Sequence, residues 1–149
     1  MTQFRNPIPV VVGLIFPKPG ELVIVTRAIK GEASFGKEAL PGGYIEDHQT
    51  WQEALRDEVD QEAHIEVSME HMQPYDFRST PDKKRVLLFA IIPPEGVLTV
   101  RKYAPTNETS ARRMVGIGYW KQPELCFSLH NDVLTRYTNE NFLGEMQNY

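Results

Sequence analysis

The chain has 149 residues, of which 41% are hydrophobic and 24% are charged, and this balance predicts one globular domain over residues 1–149 with a buried core. Its net charge of -4 means that no overall basic field favours nucleic acid, so no nucleic-acid partner is expected. The longest apolar stretch, residues 9–16, is far too short to cross a bilayer, so no membrane partner is expected, and the lack of a secretory signal favours the cytoplasm.

The first part of the chain predicts a pair of strands, a loop and a glycine turn. Residues 8–16 are β-branched and apolar, which is typical of a buried strand, and residues 21–26 predict a second strand that pairs with the first as a hairpin. Residues 27–37 are polar and contain two glycines, and they predict a loop. Residues 39–40 predict a short strand that leads into a tight turn at Gly42 and Gly43.

One strong helix is predicted after the glycine turn. Thr50 is suited to be its N-cap, and Glu53 stands at the position that completes a capping box. The helix is predicted to run to about Ala63.

The second part of the chain predicts weak strands around one strong strand. Residues 85–93 are apolar and predict a buried strand. Weaker strands are predicted over residues 65–69, 72–79, 97–102 and 114–120. The remaining predictions are a loop over residues 104–113, a short helical turn at Pro123 and a C-terminal helix over residues 130–137. Strands combined with one central and one terminal helix predict a mixed α/β sandwich.

Two acids of the predicted central helix, Glu58 and Glu62, fall on its apolar side. At about 100° per residue, they share the sector of the apolar stripe, which is formed by Trp51, Leu55 and Val59. Two carboxylates that face a core repel each other and lose solvation unless a positive charge lies between them. A divalent cation such as Mg²⁺ or Mn²⁺ would supply that charge, and so would a buried arginine, Arg27 or Arg85. The pattern leaves both readings open.

Residues 40–65 (LPGGYIEDHQTWQEALRDEVDQEAHI) resemble the Nudix box, usually written G-x5-E-x7-R-E-U-x-E-E-x-G-U with U apolar. The chain keeps the box at Gly43, Glu58, Val59, Glu62 and Ile65. It departs from the box at Gln49, Asp57, Gln61 and His64, where the pattern has Glu, Arg, Glu and Gly. Residues 105–109, 115–120 and 125–130 resemble the tail of the Nudix enzymes that split NADH, FAD and ADP-ribose.

The resemblance implies an α/β fold, the Nudix α/β/α sandwich with a mixed central sheet. It also implies hydrolysis of the pyrophosphate bond in a small nucleoside diphosphate derivative, with Mg²⁺ or Mn²⁺ as cofactor. Many relatives form dimers, so the resemblance also allows a homodimer. The family pattern makes Glu58 and Glu62 the catalytic pair.

The expected metal ligands are Glu58, Glu62, Gln61 and Glu108. The expected substrate-binding residues are Arg27, Gly42, Gly43 and Glu46. At the two glycines the backbone N–H groups would bind the phosphate, because N–H groups without a neighbouring side chain approach phosphate oxygens closely.

The departures from the box have physical consequences. Gln61 offers an oxygen without a charge, which weakens Mg²⁺ binding. Gln49 and Asp57 replace both partners of a potential ion pair, which suggests an altered but self-consistent local structure. His64 removes a favourable helix stop. These changes support an alternative function, a Nudix-fold module that binds or senses a nucleotide without cleaving it, whereas the acidic charge disfavours hydrolysis of an mRNA cap.

Overall fold

The computed structural model describes residues 5–143. Its strands are β1 (Ile8–Ile15), β2 (Leu22–Arg27), β3 (Glu38–Ala39), β4 (Gly42–Tyr44), β5 (Ile65–Val67), β6 (Gln73–Ser79), β7 (Arg85–Ile92), β8 (Val97–Val100) and β9 (Thr109–Val115). Its α-helices are α1 (Trp51–Ala63), α2 (Ile117–Lys121) and α3 (Ser128–Thr138). Within the described residues, no helix has the length and apolar character needed to span a membrane.

The strands form two main sheets and one small sheet. The larger has the order β4-β1-β7-β6, in which β1 and β7 run parallel and the other neighbours run antiparallel. The second has the antiparallel order β3-β2-β9, and β5 pairs with β8. The larger sheet is therefore mixed, as expected.

The sheets lie between two helical layers, which confirms the expected α/β/α sandwich. Side chains alternate between the faces of a strand. In β1, Val11 and Ile15 pack in the core beneath α1, whereas Val12 and Leu14 pack in the core beneath α2 and α3. Because β1 is buried on both faces, its sequence is a nearly continuous apolar run.

The predicted hairpin between the first two strands is wrong. β1 pairs with β4 and β7, and β2 pairs with β3 and β9, so the turn between them carries the chain from one sheet to the other. Both strands are buried, and an apolar run does not specify which strand lies beside it.

Two predictions in the C-terminal part are also wrong. The expected loop over residues 104–113 and strand over residues 114–120 are replaced by the strand β9 and then the helix α2. Residues 110 and 111 of β9 are exposed, so the strand is polar enough to resemble a loop. Pro123 lies in irregular backbone, not in a helical turn. The other predicted strands and the terminal helix are confirmed, with ends that differ by at most two residues.

Candidate functional site

The helix α1 begins as its sequence predicts. Thr50 Oγ1 accepts a hydrogen bond from the backbone N–H of Glu53 at 3.1 Å, and the Glu53 carboxylate accepts one from the Thr50 N–H at 3.0 Å. These reciprocal bonds satisfy two N–H groups that have no partner inside the helix, and they confirm the capping box.

α1 turns two glutamates towards the sheets. Val59 is fully buried, Glu62 is 5% exposed, and Glu58 is half-buried. The predicted inward position of the acidic pair is therefore confirmed. Gln61, the third expected ligand on this helix, is exposed, and its role stays a prediction.

The two glycines before α1 form the strand β4, not the tight turn that was expected. A Cβ atom on Gly43 would lie 2.5 Å from Cδ of Glu58, and one on Gly42 would lie 2.4 Å from the carbonyl oxygen of Val11. At Gly42 the backbone of the neighbouring strand leaves no room for a side chain, whereas a side chain at Gly43 would have to displace the Glu58 carboxylate.

The backbone N–H groups of these glycines are already used within the protein. The Gly42 N–H donates to Glu62 Oε1 at 2.9 Å. Gly43 pairs with Val11 in the antiparallel ladder. The bond from Gly13 N to Pro41 O, two residues along, makes this a hydrogen-bonded pair, so the Gly43 N–H is used within the ladder. The expected phosphate contacts from these N–H groups do not fit this arrangement, in which Gly42 bonds the Glu62 carboxylate and Gly43 pairs with β1.

A third carboxylate reaches the same place from a distant part of the chain. Glu108 lies on the exposed segment just before β9. One carboxylate oxygen from each of Glu58, Glu62 and Glu108 lies within 4.8 Å of the others. Three oxygen ligands at this spacing suit a hard divalent cation, so the residues present fit the expected Mg²⁺ or Mn²⁺.

Burial and neighbouring carboxylate charges destabilise the ionised forms of Glu58 and Glu62. Burial, with a smaller contribution from the charges of Glu58 and Glu108, raises the pKa of Glu62 to about 8, although the bond from Gly42 opposes the shift. Burial, followed by the charges of Glu108 and Glu46, raises the pKa of Glu58 to about 7. Such a cluster favours the binding of a positive charge.

Within the described residues, no arginine or lysine forms an ion pair with Glu58 or Glu62. Every Lys or Arg nitrogen within residues 5–143 lies more than 4.0 Å from the carboxylates of Glu58 and Glu62. Arg27 instead pairs with Glu32 at 2.7 Å, and Arg85 donates to a tyrosine hydroxyl at 3.3 Å. The ion-pair alternative is therefore wrong for this site.

Arg27 nevertheless lies close enough to influence the cluster. Its Nε donates to Ser34 Oγ at 2.7 Å, and its guanidinium stacks over the Phe127 ring, 5.2 Å from the centroid. Its positive charge partly opposes the rise in the pKa of Glu62. The arrangement places a cationic group near the Glu62 carboxylate.

Gln49 and Asp57 are bonded to each other, which confirms that their joint change gives a self-consistent structure. Gln49 Nε2 donates to Asp57 Oδ2 at 3.0 Å, while Gln49 Oε1 accepts from the Glu46 N–H at 3.0 Å. Gln49 thus links α1 to the loop before it. Glu46 itself is exposed and lies outside the group of three carboxylates, and its expected contact with substrate stays a prediction.

Two buried polar residues that make long-range hydrogen bonds were not predicted. Thr109 Oγ1 donates to the carbonyl of Glu62 at 2.8 Å and so joins the Glu108 segment to α1. His130 Nδ1 accepts from the Leu40 N–H at 3.3 Å just before β4, and burial lowers the pKa of this histidine to about 3, so it is neutral. Both bonds join residues far apart in sequence, so no local pattern indicates them.

The comparisons with known proteins agree on the fold. The family model described as NUDIX domain matches residues 6–125. No curated protein sequence matches the chain at a significant level.

Three solved structures that resemble this chain are distant from it in sequence. A NUDIX hydrolase from Nitrosomonas europaea superposes with a TM-score of 0.79 at 23% identity, covering 95% of this chain and 76% of the other. The MutT protein from Methanosarcina mazei Go1 gives 0.69 at 21% identity, with 94% and 99% covered. A bifunctional NMN adenylyltransferase/ADP ribose pyrophosphatase from Francisella tularensis gives 0.72 at 16% identity, with 94% and 42% covered.

At these identities the structural neighbours establish the fold, whereas the family match establishes the relationship. That match spans most of the chain, including β4, α1 and the Glu108 segment. The protein therefore belongs to the NUDIX family of pyrophosphohydrolases and is a hydrolase of that family.

Proposed function

We propose that the protein hydrolyses the pyrophosphate bond of a nucleoside diphosphate derivative of the ADP-ribose, NADH or FAD type, with Mg²⁺ or Mn²⁺ as cofactor. The observation that carries the proposal is the group of three carboxylates, Glu58, Glu62 and Glu108, whose oxygens converge within 4.8 Å. Within the described residues no Lys or Arg forms an ion pair with these carboxylates, so a bound divalent cation would complete the site.

The site residues of this proposal are cation ligands and one phosphate-binding residue. Glu58, Glu62 and Glu108 hold the cation, and the Gln61 amide adds a neutral oxygen ligand. A divalent cation held by these residues would neutralise phosphate charge and lower the pKa of a water molecule, which would supply the nucleophile. Arg27 binds a phosphate oxygen of the substrate.

The substrate class rests on the resemblance of the segments after β8 to those of enzymes that split NADH, FAD and ADP-ribose. One structural neighbour is named as an ADP ribose pyrophosphatase, which agrees with that resemblance. A cytoplasmic location and a homodimer stay predictions, which cell fractionation and light scattering would check.

The test is hydrolysis of ADP-ribose, NADH, FAD and nucleoside triphosphates with Mg²⁺ and then Mn²⁺. Glu62→Gln should lower kcat by at least roughly a hundredfold, because it removes a buried ligand charge. Glu66→Gln is the matched control, since Glu66 is exposed on β5. Release of AMP that Glu62→Gln abolishes and Glu66→Gln leaves unchanged supports the proposal.

Absence of hydrolysis would support the alternative function. If no substrate is cleaved with either cation while a nucleotide still raises Tm, the protein is a binding module, as the charge reversal at Asp57 and the neutral Gln61 would then explain. Activity that survives in Glu62→Gln would place the catalytic centre elsewhere.

A further inference from the structure

The segment that carries Glu108 is fastened to the end of α1. Three donors from this part of the chain bond successive carbonyls: Thr109 Oγ1 to Glu62 O at 2.8 Å, Arg112 Nη1 to Ala63 O at 2.7 Å, and Arg101 N to His64 O at 3.0 Å. The last carbonyls of a helix have no partner inside the helix. Here the neighbours of Glu108 supply those partners, so the position of Glu108 depends on how α1 ends.

α1 ends at His64 in left-handed backbone, with φ 54° and ψ 43°. Glycine adopts this conformation without strain, whereas a residue with a Cβ atom does not. The His64 ring makes contacts that glycine lacks: Nε2 donates to the carbonyl of Ala104 at 2.7 Å, and the ring centroid lies 5.2 Å from that of Tyr103. A carbonyl oxygen only accepts hydrogen bonds, so Nε2 carries the ring proton here.

The contacts of the ring lead back to the carboxylates. Tyr103 and Ala104 belong to the same segment as Glu108, and the Tyr103 hydroxyl is hydrogen-bonded to Thr109 Oγ1 at 2.8 Å. Thr109 in turn bonds the carbonyl of Glu62. The His64 ring thus holds one end of the segment, and Thr109 holds the other end beside the carboxylate cluster.

We propose that His64 is a positioning residue for Glu108. Its ring fixes the Tyr103–Ala104 stretch, and this holds the Glu108 carboxylate within reach of Glu58 and Glu62. The inference rests on the proposed function, because it takes these carboxylates as cation ligands. It explains why a strained histidine stands where the family pattern has glycine: the ring performs a task that glycine cannot perform.

The experiment is Mn²⁺ binding by the His64→Gly variant, followed through the electron paramagnetic resonance signal of free Mn²⁺. Glycine removes the ring but accepts the left-handed backbone, so we expect Tm to change by no more than about 3 °C. We expect Mn²⁺ affinity to fall roughly tenfold, as it does when a supporting bond to a ligand is removed.

The matched control is His48→Gly. His48 also has left-handed backbone, with φ 67°, but its exposed ring bonds the neighbouring Asp47 and not the Glu108 segment. This substitution removes the same side chain from the same backbone conformation. We expect it to leave Mn²⁺ affinity unchanged.

A second background shows whether His64 acts through Glu108. In Glu108→Gln, adding His64→Gly should weaken Mn²⁺ binding by less than about twofold, because the positioned carboxylate is already absent. Equal weakening in both backgrounds, or no weakening in the unsubstituted one, overturns the inference. If the unsubstituted protein binds no Mn²⁺, the proposed function itself fails and the inference falls with it.

Discussion

The Glu62 carboxyl group is expected to make the stability of the protein depend on pH. Its burial beside Glu58 raises its pKa to about 8, from an ordinary value of 4.5. The folded state therefore holds this proton more tightly than the unfolded chain does. Stability falls as pH rises from about 4.5 to about 8, because folding must then bury an ionised group or keep it protonated.

We predict that the cation-free protein loses stability relative to Glu62→Gln across this pH window. Glutamine stays neutral and keeps an oxygen that accepts the Gly42 N–H, so the variant lacks the buried charge. Urea unfolding in the presence of EDTA at about pH 5 and about pH 8 measures the difference in unfolding free energy. Parallel pH profiles for the two proteins would contradict this prediction.

A divalent cation should reverse the effect. We predict that Mn²⁺ raises Tm more at about pH 8 than at about pH 5, because its carboxylate ligands must lose their protons to bind it. Thermal unfolding with and without Mn²⁺ measures the shift, and Glu66→Gln should respond like the unsubstituted protein. An equal rise in Tm at both pH values would mean that the cation binds elsewhere.

The bond between Gln49 and Asp57 should behave as a replacement for an ion pair. We predict that Gln49→Glu alone lowers the unfolding free energy by about 1 kcal/mol, because it turns a 3.0 Å hydrogen bond into a contact between two carboxylates. Adding Asp57→Arg should restore the loss, and replacing the negative charge should also lower the pKa of Glu58. Urea unfolding of the single and double variants tests this, and a double variant no more stable than Gln49→Glu would refute it.

At the scale of elements, α1 was predictable because its signals are local. The Thr50 cap, the Glu53 partner and the apolar stripe all lie within a few residues of one another, and both ends of the helix agree with the structure. β9 was not predictable in the same way. Its residues become a strand through their pairing with β2, which lies far away in sequence. The place of Glu108 beside α1 depends on that pairing.

β4 shows how a short element can decide the geometry of a site. We predict that Gly43→Ala lowers Mn²⁺ affinity and kcat, because its Cβ would displace the Glu58 carboxylate, whose Cδ lies only 2.5 Å away. Gly118→Ala in α2 is the matched control, since no atom lies within 4 Å of its added Cβ, and it should leave both quantities unchanged. Mn²⁺ titration and steady-state kinetics measure the effects. Unchanged Mn²⁺ binding by Gly43→Ala would show that Glu58 is free to move.

At the scale of the whole molecule, the two hydrophobic cores have different roles. The core beneath α1 supports the carboxylates, whereas the core beneath α2 and α3 lies on the opposite side of the sheets. The sequence predicts that β1 is buried, but not which strands lie beside it, because an apolar run is compatible with several neighbours. Only long-range pairing separates β1 from β2 and brings β4 against β1.

This division of the cores predicts different results for the same substitution on the two sides. Leu55 in α1 and Leu134 in α3 are both fully buried. Replacing either by alanine should cost about 2–5 kcal/mol of unfolding free energy, because each change leaves a cavity.

Only Leu55→Ala should also weaken Mn²⁺ binding, since Leu55 lies one turn before Glu58 and packs α1 against the sheet. Leu134→Ala lies across the sheets and should leave the affinity of the folded protein unchanged. Urea unfolding measures the stability of both variants, and Mn²⁺ titration well below their Tm measures affinity. If the two variants weaken Mn²⁺ binding equally, the carboxylates depend on the whole fold and not on the layer beneath α1.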